Sequence, residues 1–98
     1  MPSSSSEIAP KYAVRCLIAG HVQGVWYRAA TAQRAEQLSL SGWAKNLPDG
    51  RVEVVVAGKS HSIAKLCRWL WEGSPGASVS GITVEVWKDS VSSGFQTL

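Results

Sequence analysis

The sequence predicts an α+β fold of β-α-β-β-α-β order, with two helices on one face of a four- to five-stranded antiparallel sheet. Three observations carry this reading. Val14, Cys16 and Ile18 alternate with Arg15, as a half-buried strand requires. Ile63, Leu66, Cys67 and Leu70 recur at i, i+3, i+4 and i+7, the core stripe of an amphipathic helix. Between them, Leu47-Pro48-Asp49-Gly50 is a turn signal, followed by Val52, Val54 and Val56 on one face of a further strand.

The elements follow in order. Tyr12 to Ala19 forms the first strand, and a glycine-bracketed loop follows it. Tyr27 to Leu38 is rich in Ala, Arg, Glu and Gln, which favour a helix. Tyr27, Ala30, Ala35 and Leu38 give that helix a modest apolar stripe. Gly42 to Asn46 and Arg51 to Ala57 pair as a hairpin across the Pro-Asp-Gly turn. The second helix opens at Gly58 to Ser60, with Ser60 as its N-cap, and Gly73 and Pro75 end it. Ser80 to Lys88, with Ile82, Val84 and Val86 on one face, is a fourth strand, and Phe95 to Leu98 is a short final edge strand. The result is a ferredoxin-like sandwich. No linker interrupts residues 11–98, which read as one domain after a Ser-rich, disordered tail over residues 1–10.

Composition narrows the function. The 98 residues are 45% hydrophobic, enough for one thin core. The net charge of +3 and the pI near 9.1 favour anionic ligands, but the basic residues are scattered. They form no stripe of the kind a nucleic-acid binder carries, so no nucleic-acid partner is expected. No apolar run approaches the ~20 residues that span a bilayer, so no membrane partner is expected either. The N-terminus lacks the apolar segment of a secretory signal. Cys16 and Cys67 sit among apolar neighbours and read as buried small hydrophobes in a reducing compartment. A cytoplasmic monomer is the expectation.

The most informative run is Gly20-His21-Val22-Gln23-Gly24-Val25-Trp26-Tyr27-Arg28. Such a loop can turn backbone N–H groups toward one point, where a helix N-terminus and an arginine add positive potential. That describes an oxyanion cradle. His, Cys, Asp and Glu do not cluster at metal-ligand spacing, so no metal and no cofactor are expected. There is no nucleophile elbow and no Gly-Lys-Ser/Thr phosphate loop. What remains beside the loop and Arg28 is Asn46, the only asparagine, at the end of the second strand. Spacing alone does not say whether Asn46 reaches the loop.

The run from Gly20 to Arg28, together with Gly42-Trp43-Ala44-Lys45-Asn46-Leu47-Pro48-Asp49-Gly50, resembles the two signature segments of the acylphosphatase family in content and separation. The layout of elements over residues 11–98 resembles that family as well. The resemblance implies metal-independent hydrolysis of small acyl phosphates to a carboxylate and inorganic phosphate. It implies that Arg28 binds the phosphoryl group, that loop amides from His21 through Val22, Gln23, Gly24, Val25 and Trp26 to Tyr27 bind the same oxygens, and that Asn46 positions the attacking water. Tyr27 stands where the family usually has phenylalanine, and Trp26 is bulkier than many members carry.

The chemistry suits the residues. A carboxylate leaving group has a pKa of roughly 4 to 5, judged from side-chain carboxyls, and departs without a proton. An alkoxide from a phosphate monoester does not, and needs an acid or a metal. Two other readings stand beside this one: a phosphate-binding regulatory domain that does not hydrolyse, and an RNA-binding module of the same element order. The RNA module stacks bases on aromatics of its first and third strands, and Arg51 to Ala57 holds none. Gln23 is expected to brace the loop on itself, Lys45 to be solvated, and Trp69 to be more exposed than Trp71.

Overall fold

The alternation along the first strand becomes a buried row. In a computed structural model, which describes residues 12–98, Cys16 and Ile18 are fully buried under the helices while Arg15 lies on the opposite face of the sheet. The tail expected over residues 1–10 lies outside the described residues. The elements are β1 (Tyr12–His21), α1 (Tyr27–Gln37), β2 (Ser41–Asn46), β3 (Val52–Gly58), α2 (Ser60–Glu72), β4 (Ser78–Val86) and β5 (Phe95–Thr97). The sheet order is β4-β1-β3-β2-β5.

β1 pairs antiparallel with both β3 and β4, and β2 pairs antiparallel with β3. So β1 and β2 run the same way with β3 between them, and β3 and β4 run the same way with β1 between them. Each parallel pair is joined by a helix, and both helices cover one face. The core fills the space beneath them with Val52, Val54 and Val56 of β3, Ala44 of β2, Ile63, Leu66 and Leu70 of α2, and Tyr27 and Ala35 of α1.

The sheet is mixed, where the sequence suggested a purely antiparallel one. β5 pairs parallel with β2. The reason is the path of the chain. β4 runs opposite to β1 and β2 and leaves the sheet at its far end. The chain returns from that end, with Trp87 packed edge-on against Trp43 at 5.6 Å between ring centroids. The last strand can then only run alongside β2.

Three local expectations are corrected. The buried stripe of α1 is Tyr27, Thr31 and Ala35, because the Thr31 hydroxyl donates to the Tyr27 carbonyl at 2.7 Å and so needs no water. Ser60 is the first helical residue of α2 and not its cap: Lys59 holds the cap position, and its carbonyl accepts from the Ser62 and Ile63 amides. Trp69, not Trp71, is the more buried tryptophan. Its ring tilts against Tyr27 of α1 at 6.1 Å between centroids, while Trp71 is 54% exposed on the outer side.

Candidate active site

The strand directions answer the question the spacing left open. Because β1 and β2 are parallel, their C-terminal ends lie at the same end of the sheet. Ile18 of β1 and Asn46 of β2 both sit opposite Val52 of β3, so the three form one row across the sheet. Residues directly opposite point to the same face. Asn46 thus shares the helix-side face with Ile18, two strands and roughly 10 Å away. The loop leaving β1 crosses this gap on its way to α1.

That loop ends in an unusual helix start. Gly24 has φ 75° with open space around it, so its backbone conformation, not crowding, calls for glycine. Trp26 holds the N-cap position in the left-handed region, at φ 63° and ψ 17°. A bulky side chain there is strained, and such strain collects at functional sites. The Trp26 carbonyl accepts the first helical bond, from Ala30. The amides of Tyr27, Arg28 and Ala29 precede that bond and have no helical partner. No side chain caps them, and the first turn contains no acidic residue. The positive end of the α1 dipole is therefore left for something else.

A cavity of about 360 Å³ opens at this point, lined by Val22, Gly24, Trp26, Tyr27, Arg28, Ala29 and Asn46. The Asn46 side-chain oxygen is buried and accepts no hydrogen bond from the described residues. A buried amide oxygen without a donor is costly, and it marks a place for a ligand or a water. Arg28 brings a guanidinium to the same cavity, and its Nη1 donates to the main-chain oxygen of Leu98. One such acceptor leaves most of the five N–H donors of the guanidinium unclaimed. Burial pushes the Tyr27 phenol up, so it stays protonated, and its hydroxyl donates to the Leu70 carbonyl of α2 at 2.5 Å. Among the described residues no three His, Cys, Asp or Glu side chains gather where they could hold a metal ion.

Of the residues singled out in the sequence, Arg28, Asn46, Val22, Gly24, Trp26 and Tyr27 meet at this cavity. His21, Gln23 and Val25 do not line it. His21 ends β1, exposed and paired with Ser78. Gln23, expected to brace the loop on itself, does not do so. Its Nε2 reaches across to the β2–β3 turn and donates to the carbonyls of Leu47 and Arg51, each at 2.9 Å. The Val25 carbonyl accepts from Ser74 Oγ at 2.6 Å, which ties the loop to the end of α2. Lys45 is exposed on β2, as expected. The sequence reading missed Ser74, Ala29 and the Leu98 oxygen. Ser74 follows a helix-ending glycine and looks like an ordinary loop residue. Ala29 was legible only as one position past the arginine in the helix's first turn.

Comparison with known proteins adds to this geometry. A family model described as acylphosphatase matches residues 14–97. An acylphosphatase of Nitrosococcus oceani is 49% identical over 73 residues, which span 74% of this chain and 82% of that one. Among solved structures, an acylphosphatase from Coxiella burnetii superposes with a TM-score of 0.85 at 40% identity, covering 90% of this chain and 93% of its own. The acylphosphatase from Bacillus subtilis superposes with a TM-score of 0.83 at 30% identity, covering 88% and 97%.

Proposed function

The chain belongs to the acylphosphatase family and hydrolyses acyl phosphates, and from that premise we propose how its residues divide the work. The phosphoryl group sits over the N-terminus of α1. Its oxygens accept from the free amides of the first turn and the loop, and from the Arg28 guanidinium. Asn46 accepts a hydrogen bond from a water through its side-chain oxygen, which aims that water's lone pair at phosphorus. The water oxygen bonds to phosphorus as the bond from phosphorus to the acyl oxygen breaks. The electron pair leaves on the carboxylate, and both of the water's protons go out with inorganic phosphate.

The observation that carries this reading is the buried, unpartnered Asn46 oxygen in the same cavity as Arg28 and an uncapped helix N-terminus. These groups suffice without a general acid, because a leaving group with a pKa of roughly 4 to 5 needs no proton. Positioning and charge stabilisation then supply the catalysis, as phosphoryl transfer demands. Trp26, 80% exposed at the cavity rim, is placed to meet the acyl end of the substrate. A monomer is the working form expected of this domain, and two free thiols suit a reducing, cytoplasmic setting.

The test is release of inorganic phosphate from benzoyl phosphate by purified protein in excess chelator, with p-nitrophenyl phosphate as the monoester control. The expected result is rapid turnover of the first and almost none of the second. Loss of activity on chelation would overturn the metal-independent path.

A further inference from the structure

The two cysteines of the chain lie 51 positions apart in sequence, yet their sulfurs are in contact at 3.9 Å. Both are free thiols. Cys16 is fully buried in the middle of β1, in the row with Val54 and Val84. Cys67 is on α2 and half-buried. It lies one turn before Leu70, whose carbonyl holds the Tyr27 hydroxyl. The pair therefore joins the sheet to the helix that steadies the start of α1.

We propose that Cys16 and Cys67 form a modification site, a dithiol that a peroxide converts reversibly into an intramolecular disulfide linking β1 to α2. The two thiols differ in the way such a site needs. The contact with Cys16 brings the Cys67 thiol below its ordinary value. The same contact, with burial, pushes Cys16 up. Cys67 is thus both the more ionised and the more accessible sulfur, and reactive cysteines have these two properties.

The Cys67 thiolate attacks one peroxide oxygen. The S–O bond forms, the O–O bond breaks, and hydroxide leaves to become water on protonation. Cys16 then attacks the Cys67 sulfur, the S–O bond breaks, and a second water departs with the Cys16 proton. Two thiols are oxidised by two electrons, and one peroxide is reduced to two waters. The sulfurs close from contact distance to the ~2.0 Å of a disulfide. The link spans a long stretch of chain, so it restricts the unfolded state strongly. Its consequence is an oxidised form that resists unfolding, with the phosphoryl cavity left open.

The experiment treats reduced protein with stoichiometric hydrogen peroxide, then reads intact mass, maleimide-accessible thiols under denaturing conditions, and the thermal midpoint. The expected result is loss of two hydrogen masses, no remaining thiols, a monomer on a non-reducing gel, and a midpoint raised by roughly 10 °C. Dithiothreitol should reverse all of these. Cys67→Ser, altered at the half-buried position, should fold and show no peroxide-dependent midpoint shift. Two thiols still titratable after treatment would overturn the proposal. So would oxygen addition at Cys67 with no loss of the Cys16 thiol, or a link formed only between chains.

Discussion

The Gln23 side-chain amide donates to the Leu47 carbonyl at 2.9 Å, across the gap between the loop after β1 and the turn after β2. The same nitrogen donates to Arg51 at 2.9 Å. Both carbonyls already serve the turn: Leu47 accepts from Gly50, and Arg51 accepts from Leu47. Gln23 therefore grips a closed turn and fixes the loop amides relative to Asn46, which immediately precedes it. It holds the two halves of the site in register without entering the cavity.

Replacing Gln23 with alanine should lower kcat by roughly 10- to 100-fold, since misplacement of about 1 Å costs on that order. Stability should fall by only about 1–2 kcal/mol, because both carbonyls keep one bond each. Steady-state kinetics and urea unfolding on the same preparation check this. Near-normal kcat alongside a clear loss of stability would make Gln23 a purely structural brace.

Arg28→Ala and Asn46→Ala should each cost roughly 100- to 1,000-fold in kcat, the scale of removing one preorganised donor or orienting group. They should differ in inorganic phosphate binding. Arg28→Ala should weaken it severely, while Asn46→Ala should leave it close to wild type. Calorimetric titration with phosphate separates the two, and equal weakening in both would contradict the division of roles.

Tyr27→Phe should leave kcat within about twofold. It removes the hydroxyl that satisfies the Leu70 carbonyl, so the fold should lose about 1–2 kcal/mol. A large drop in turnover would mean that the α1–α2 tie contributes to the site directly.

Gly42→Ala should destabilise the protein by more than about 3 kcal/mol. A Cβ there would fall 1.8 Å from the Val55 carbonyl oxygen, in backbone that cannot move aside, and the residue's φ of 143° disfavours any side chain. Chemical denaturation gives the number. A loss under about 1 kcal/mol would show that β2 can slide on β3.

Glu53 should contribute to the acid limit of stability. Burial alone would raise its carboxyl, but hydrogen bonds from Trp43 and Arg15, with the charges of Arg15 and Lys45, hold it below the ordinary value of 4.5. Its folded value is lower than its unfolded one, so its contribution is complete above about pH 4.5 and fades as pH falls through the folded value. Stability measured from pH 6 downward, a range chosen to bracket about 4.5, should drop in the wild type and be flatter in Glu53→Gln. Parallel curves would assign the acid limit to other carboxylates.

Much of this was legible in the sequence, for a physical reason. Periodicity at 2 and 3.6 residues reports which face of an element is buried, so the strands of Val14–Ile18 and Val52–Val56 and the Ile63–Leu70 stripe could be read locally. Thr31 was overlooked because its polarity hides a hydroxyl satisfied within its own helix. The tryptophan exposures came out reversed because the groove between two helices, not either helix alone, decides which ring is covered.

The elements, the cradle loop and the two residues that the family resemblance marks are local features of the chain, because turns, helix starts and apolar periods are short-range. That Asn46 and Arg28 line one cavity is a property of the assembled fold. That follows from β1 and β2 lying parallel about β3 and from bonds such as Gln23 to Arg51, made between residues 28 positions apart. No local pattern encodes such pairings. They form only once the hydrophobic core has set the order and direction of the strands.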